Sequence, residues 1–170
     1  MGVFMASVAF RCTDSRVWEN AKPRIKEMIQ QWDALTNNLD SDGQAFAIVS
    51  PFGHEGGILA EMAEPISELV NDYAVFATCV DSDFAMLELY QNGEHLESSF
   101  IGHVYEEYAE LVTIKQPDMD LWRPLLIDQN ETDQLELALI SKQVFVEDQL
   151  CLLTKLTGLP VFDEHLVFEC

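Results

Sequence analysis

The chain has few basic residues, and they are unevenly placed. Among its 170 residues, nine are Lys or Arg and thirty are Asp or Glu, so the formal net charge is −21 and the pI is near 4.2. Between Glu27 and Ile114 there is no Lys or Arg at all. Such a chain repels nucleic acids and anionic membranes and attracts basic surfaces. The charge therefore argues against nucleic acid or membrane partners and predicts a basic protein partner.

Motifs for catalysis and metal binding are also missing. The sequence has no GxSxG, HExxH, HxxxH or GxxxxGK[ST] pattern, and its cysteines have no CxxC spacing. These absences argue against a serine hydrolase, a zinc site of familiar spacing and a P-loop nucleotide site. The scattered thiols are predicted to be free and packed as small apolar groups: Cys12, Cys79, Cys151 and Cys170. We expect no enzyme activity, no cofactor and no metal.

Two stretches keep a small metal-dependent enzyme open as an alternative. Residues 51–57 (PFGHEGG) precede a predicted helix, where backbone amides can hold phosphate, although Glu55 would repel an anion. Asp81 and Asp83 have the D-x-D spacing by which some glycosyltransferases hold a metal–nucleotide complex, but a turn between strands explains them equally well. A self-associating regulatory or scaffold domain is a further alternative, so a homo-oligomer stays open.

Long apolar runs are absent as well. No run approaches the roughly 18 residues needed to span a bilayer, and no basic residue precedes the first apolar run, as a signal peptide would require. We therefore expect a cytoplasmic protein. The length predicts a single domain over residues 1–170 with a sizeable core.

The strongest structural pattern is a predicted antiparallel meander over residues 73–101. Its strands are Tyr73–Val80, Phe84–Gln91 and His95–Ile101. The first is almost wholly apolar, as expected of a strand covered on both faces. Asp81–Asp83 supplies the first turn, and Asn92-Gly93 is a strong signal for a tight hairpin. The third strand carries scattered polar residues and is predicted to lie at the edge of the sheet.

Two earlier strands and several amphipathic helices complete an α+β prediction. Val3–Arg11 and Ala45–Ser50 read as strands, separated by a helix and a polar loop at Asn37–Gly43. We expect a mixed sheet of about five strands with helices packed on it. At Pro23 the regular helix is expected to begin near Ala21 or to be kinked, and Pro65 is expected to interrupt its helix or restart it at a first turn. Further helices are predicted over Ile58–Asp72, Met119–Leu126, Glu131–Lys142 and Val144–Thr157.

Two groups of residues are the candidates for binding a partner. Glu61, Glu64, Glu68 and Asp72 recur at helical spacing opposite the apolar stripe, with no Lys or Arg nearby in sequence. Like charges at this spacing destabilise a helix by a few tenths of a kcal/mol each. Two interpretations of the four carboxylates stay open: they form a surface that binds a partner, or they form an ordinary solvent-exposed face. The second group interleaves aromatic rings and carboxylates, a composition suited to interfaces: Tyr105, Glu106, Glu107 and Tyr108.

Two segments carry a resemblance to a known class. The strand–DSD–strand–NG–strand unit and residues 145–160 (FVEDQLCLLTKLTGLP) resemble small bacterial α+β proteins of the kind found among antibacterial immunity proteins. Those proteins partner toxins delivered by contact-dependent or type VI secretion systems. The resemblance implies a cytoplasmic protein that covers a toxin domain. A nuclease toxin has a basic cleft that an acidic protein can fill.

Overall fold

A computed structural model describes residues 2–103, 115–141, 145–163 and 165. Its central feature is a six-stranded antiparallel sheet in the order β2-β3-β1-β4-β5-β6. The strands are β1 (Met5–Arg11), β2 (Thr36–Asn37), β3 (Ala45–Ser50), β4 (Tyr73–Val80), β5 (Phe84–Gln91) and β6 (Glu94–Gly102). The α+β prediction is confirmed.

The sheet differs from the prediction in two respects. It has six strands rather than about five, because the two residues of β2 pair with β3 at the edge of a stretch predicted as a loop. It is antiparallel rather than mixed, because β1 runs antiparallel to both of its neighbours, β3 and β4. Strand direction depends on pairings between residues far apart in sequence, and local patterns do not encode it.

Helices cover both faces of this sheet. In chain order they are α1 (Ser15–Ile29), α2 (Gly56–Val70), α3 (Met119–Trp122) with a 3-10 turn over Arg123–Leu125, α4 (Thr132–Ile140) and α5 (Val146–Thr157). Helices α1 and α2 pack on one face, while α3, α4 and α5 pack on the other. None of the helices in the described part of the chain is long and apolar enough to cross a membrane.

Strand alternation divides the core into two layers. Along β1, Ala6, Val8 and Phe10 point towards α1 and α2, whereas Met5 and Ala9 point towards the other helical layer. Strand β4 is buried on both faces over most of its length, which confirms the reading of its apolar run. Each face therefore has its own apolar core, and the sheet lies between them.

Neither proline ends its helix, so the predicted helix start near Ala21 and the predicted interruption at Pro65 are wrong. Pro23 lies inside α1 and Pro65 inside α2, and both helices continue on either side. Each proline removes one N–H that would bond to the carbonyl four residues earlier. Those carbonyls belong to Glu19 and Glu61, both exposed residues, so water can replace the missing donor. The cost of each proline is thereby limited.

The predicted turns of the meander are confirmed. Asp81 and Ser82 have φ values of 51° and 61°, and Asn92 and Gly93 have 51° and 81°. These left-handed conformations match the twist of the flanking strands and suit Asn, Asp and Gly. β6 lies at one end of the strand order, as the edge prediction required.

Candidate functional site

The candidate site is the exposed side of α2, where Glu61, Glu64 and Glu68 form a row that we call the acidic α2 row. All three residues are exposed. They are displayed because the opposite side of α2 is fixed against the sheet by its buried residues: Leu59, Met62, Ala63, Ile66, Ser67 and Val70. Among the described residues, no ion pair joins any of the three carboxylates to a cation. The row therefore presents uncompensated negative charge.

Asp72, predicted as the fourth member, does not belong to this row. The helix ends at Val70, and Asn71 follows in a left-handed conformation, so Asp72 leaves the helical face. Its carboxylate is half-buried and accepts hydrogen bonds from Arg11 at 3.0 and 3.3 Å. It also accepts from the backbone N–H of Tyr73 at 2.8 Å. No Lys or Arg is near Asp72 in sequence, yet its carboxylate is paired, because β1 carries Arg11 to the same end of the sheet.

Another carboxylate, Glu88, lies on strand β5 beside Tyr90, whose ring packs on the side of the sheet that α1 and α2 cover. Glu88 accepts a hydrogen bond of 2.7 Å from the Tyr90 hydroxyl. Burial, that hydrogen bond and the negative charges of Glu88 and Glu64 together raise the pKa of Tyr90. Glu64 is thus close enough to the Tyr90 hydroxyl for its charge to act there. The sequence contained a signal for this pair, because residues two apart in a strand share a face.

A groove of about 530 Å³ lies between α1 and α2, on the side of the acidic α2 row that includes Glu68. Its apolar surface comes from Met28, Pro65 and Leu69. Arg24 and Glu27 from α1 also line it, so the groove contains a basic side chain close to Glu68. Arg24 and Glu68 do not form an ion pair. The row is therefore bordered on this side by one cation and a short apolar surface.

Most other cations of the described chain are already engaged. Elsewhere, ion pairs join Lys22 and Lys26 to Asp40, Lys115 to Glu97, and Arg123 to Asp120. Exposed carboxylates also occur on the opposite helical layer, for example at Asp133 and Glu136 of α4. The negative charge is consequently not confined to one face, and a binding test needs controls on the other layer.

The second predicted group cannot be placed. Tyr105, Glu106, Glu107 and Tyr108 lie outside the described residues, so their role stays a prediction.

The stretches considered for an enzyme lie at one end of the sheet. The loop 51–57 follows β3, and the turn at residues 81–83 follows β4. Glu55 is held by a hydrogen bond of 2.6 Å from the Ser50 hydroxyl. A Cβ on Gly2 would lie only 2.2 Å from Asp81 Oδ1, so the chain backbone passes directly beside that carboxylate. Within the part of the chain that the structure describes, no three His, Cys, Asp or Glu side chains are placed to hold a metal ion.

Comparisons with protein-family models, with curated proteins and with solved structures return no match to this chain. Function is therefore inferred from the chemistry of the described residues.

Proposed function

We propose that this protein binds a basic protein partner through the acidic α2 row, and that the partner is a bacterial toxin domain that it neutralises. The observation that carries the proposal is the row itself: Glu61, Glu64 and Glu68 are exposed and aligned, and none forms an ion pair with a described cation, in a chain of net charge −21. Charge of one sign on a rigid helix attracts an oppositely charged surface and orients it during approach.

The mechanism is occlusion with electrostatic steering. The partner's basic cleft meets the row, and the bulk of the folded protein then blocks access to that cleft. Steering of this kind raises association rates to about 10⁸ M⁻¹s⁻¹ at low salt. The resemblance to immunity proteins supports a toxin as the partner, and a nuclease is the toxin class whose cleft must be basic. Under this proposal the protein acts in the cytoplasm and breaks no bond.

The first test uses the protein encoded by the reading frame next to the gene for this chain. That protein is expressed alone and together with this chain, and host growth is measured. Growth arrest by the first and rescue by the second are expected. Arrest without rescue, combined with no complex of the purified proteins, contradicts the neutralising function.

Stopped-flow measurement of the association rate then tests the role of the acidic α2 row. Glu64→Lys/Glu68→Lys is expected to slow association at least about tenfold at low ionic strength, with the difference shrinking as salt is raised. The matched control is Asp133→Lys/Glu136→Lys, which makes the same change in net charge at exposed carboxylates of α4, on the opposite face of the sheet. Equal slowing by both variants would show that total charge, rather than the acidic α2 row, controls binding.

A further inference from the structure

Three phenylalanines are exposed at one end of the sheet, and none belongs to the acidic α2 row. Phe4, Phe52 and Phe145 expose 48%, 64% and 52% of their surface. Phe4 directly precedes β1, Phe52 follows β3 by two residues, and Phe145 directly precedes α5. Exposed apolar surface gathered at one end of a domain is a feature of interaction sites.

Specific contacts hold these segments together. β1 begins where β3 ends, as the pairing of Ala6 with Ser50 shows, and a Cβ on Gly53 would lie 3.7 Å from the Met5 backbone. Phe4 and Phe52 therefore belong to adjacent pieces of backbone. The ring of Phe52 also lies 6.2 Å from that of His54.

Ser82 connects the third phenylalanine to the other two. Its hydroxyl accepts from the Val3 N–H at 2.8 Å, and its carbonyl accepts from the Val146 N–H at 2.9 Å. The same hydroxyl donates to Glu147 Oε1 at 2.9 Å. One turn residue thus fixes the segments next to both Phe4 and Phe145.

The surroundings of the phenylalanines are uniformly acidic. The described segments that form this end, residues 2–5, 50–57, 80–84, 102–103 and 145–148, contain no Lys or Arg. They contain five carboxylates: Glu55, Asp81, Asp83, Glu147 and Asp148. Asp81 and Asp148 are exposed. We call Phe4, Phe52 and Phe145 with these two aspartates the sheet-end patch.

We infer that the sheet-end patch is a second contact surface for a basic protein that presents apolar side chains. An aromatic centre with a charged rim is the usual arrangement of an interface. A second copy of this chain would bring acidic rims together, and like charges across an interface oppose association. A basic partner relieves that repulsion and covers the rings. The inference shares with the proposed function only the basic character of the partner.

Defined peptides test the inference without knowledge of the natural partner. A short synthetic peptide of alternating Lys and Leu is compared with Lys–Ser and Glu–Leu peptides of equal length, and binding is measured by fluorescence anisotropy. The intact protein should bind Lys–Leu about tenfold or more tighter than Lys–Ser, and Glu–Leu least of all. Phe4→Ser/Phe52→Ser/Phe145→Ser should abolish the preference for Leu while leaving Lys–Ser binding unchanged.

The control variant is Ile127→Ser/Leu137→Ser, which removes exposed apolar side chains elsewhere (71% and 41% exposed). The inference is overturned if the triple variant keeps the preference, or if the control loses it equally. It is also overturned if sedimentation shows a dimer of the intact protein that the triple variant abolishes. If the triple variant does not fold, Phe52→Ser alone replaces it in the same binding assay and should weaken the preference for Leu. Failure of Lys–Ser to bind the intact protein at low salt would count against the electrostatic basis of the proposed function, whereas absence of a Leu preference in the intact protein would count only against the patch.

Discussion

The buried carboxylate of Glu97 in β6 is the group whose removal we expect to destabilise the fold most. Its side chain is fully buried and accepts 2.7 Å hydrogen bonds from the Asp118 N–H and from Trp122 Nε1. Lys115 Nζ lies 3.5 Å away. Glu97 thereby joins the edge strand to α3 and to the helical layer opposite α1 and α2.

The expected loss of stability follows from the groups that contact the Glu97 carboxylate. Glu97→Ala leaves the buried Trp122 indole N–H without an acceptor, which costs about 1 to 3 kcal/mol, and it also removes the acceptor of the Asp118 N–H, which belongs to an exposed residue and can bond to water. Lys115 is more than half exposed, so its ion pair contributes little. We expect a loss of about 2 to 4 kcal/mol in the free energy of unfolding and a fall in Tm of about 10 °C. Glu97→Gln keeps one acceptor oxygen and should cost about 1 to 3 kcal/mol.

Urea denaturation followed by tryptophan fluorescence measures these losses. Glu94→Ala is the control, because Glu94 is an exposed carboxylate in the same strand, and it should change stability by no more than about 0.5 kcal/mol. A double-mutant cycle with Trp122→Phe should give a coupling energy of about 1 kcal/mol or more. If Glu97→Ala is as stable as Glu94→Ala, the two hydrogen bonds do not hold this layer to the sheet.

Three further predictions concern titration and backbone conformation. Hydrogen bonds from Lys26 and Lys22 lower the pKa of Asp40 to about 2, so the stability of the protein should fall as pH drops from about 4 to about 2. In a plot of Tm against pH, Asp40→Asn should make the curve flatter over this range. Burial raises the pKa of Cys79 to about 12, so the thiol should resist labelling by iodoacetamide at pH 9, as measured by mass spectrometry, and rapid labelling of the native protein would contradict this. The free energy of unfolding should also decline between pH 9 and 12, because the unfolded chain loses this proton more readily than the folded protein does. Gly93 has a φ of +81°, and a Cβ added there would lie 3.1 Å from Glu68 Cβ, so Gly93→Ala should cost about 1 to 2 kcal/mol in urea titrations. Gly57→Ala should not, because a Cβ added at Gly57 would have no neighbour within 4 Å.

Local patterns predicted the elements better than their arrangement. The meander strands Tyr73–Val80 and Phe84–Gln91 coincide with the structure, because alternation, turn residues and apolar runs are properties of neighbouring residues. The antiparallel direction of β1 against β4 was missed, because it depends on contacts such as Met5 with Cys79. Pro65 was expected to break a helix, yet packing of α2 against the sheet outweighs one lost hydrogen bond.

The candidate site was predictable only in part, because a sequence gives the number of charges but not their partners. Glu64 and Asp72 look equivalent along the chain, yet one is exposed and unpaired while the other is held by Arg11. Glu97 sits among the polar residues that suggested an exposed edge, yet it is buried. The sheet-end patch was not foreseen, because Phe4, Phe52 and Phe145 are far apart in sequence, and only strand pairing and the contacts of Ser82 bring their segments to the same end of the sheet.

The two proposed surfaces are close enough for one partner to contact both. Helix α2 begins at Gly56, directly after the loop that carries Phe52, and at 1.5 Å per residue Glu68 lies about 18 Å further along its axis. A standard interface covers about 800 Å² on each partner, which spans roughly that distance. Charges at a solvated surface mainly affect how fast partners associate, whereas buried aromatic anchors mainly affect how slowly they separate. If one partner uses both surfaces, Glu64→Lys/Glu68→Lys should reduce the association rate and Phe52→Ser should raise the dissociation rate. Two separate partners would instead leave each complex sensitive to only one of these changes.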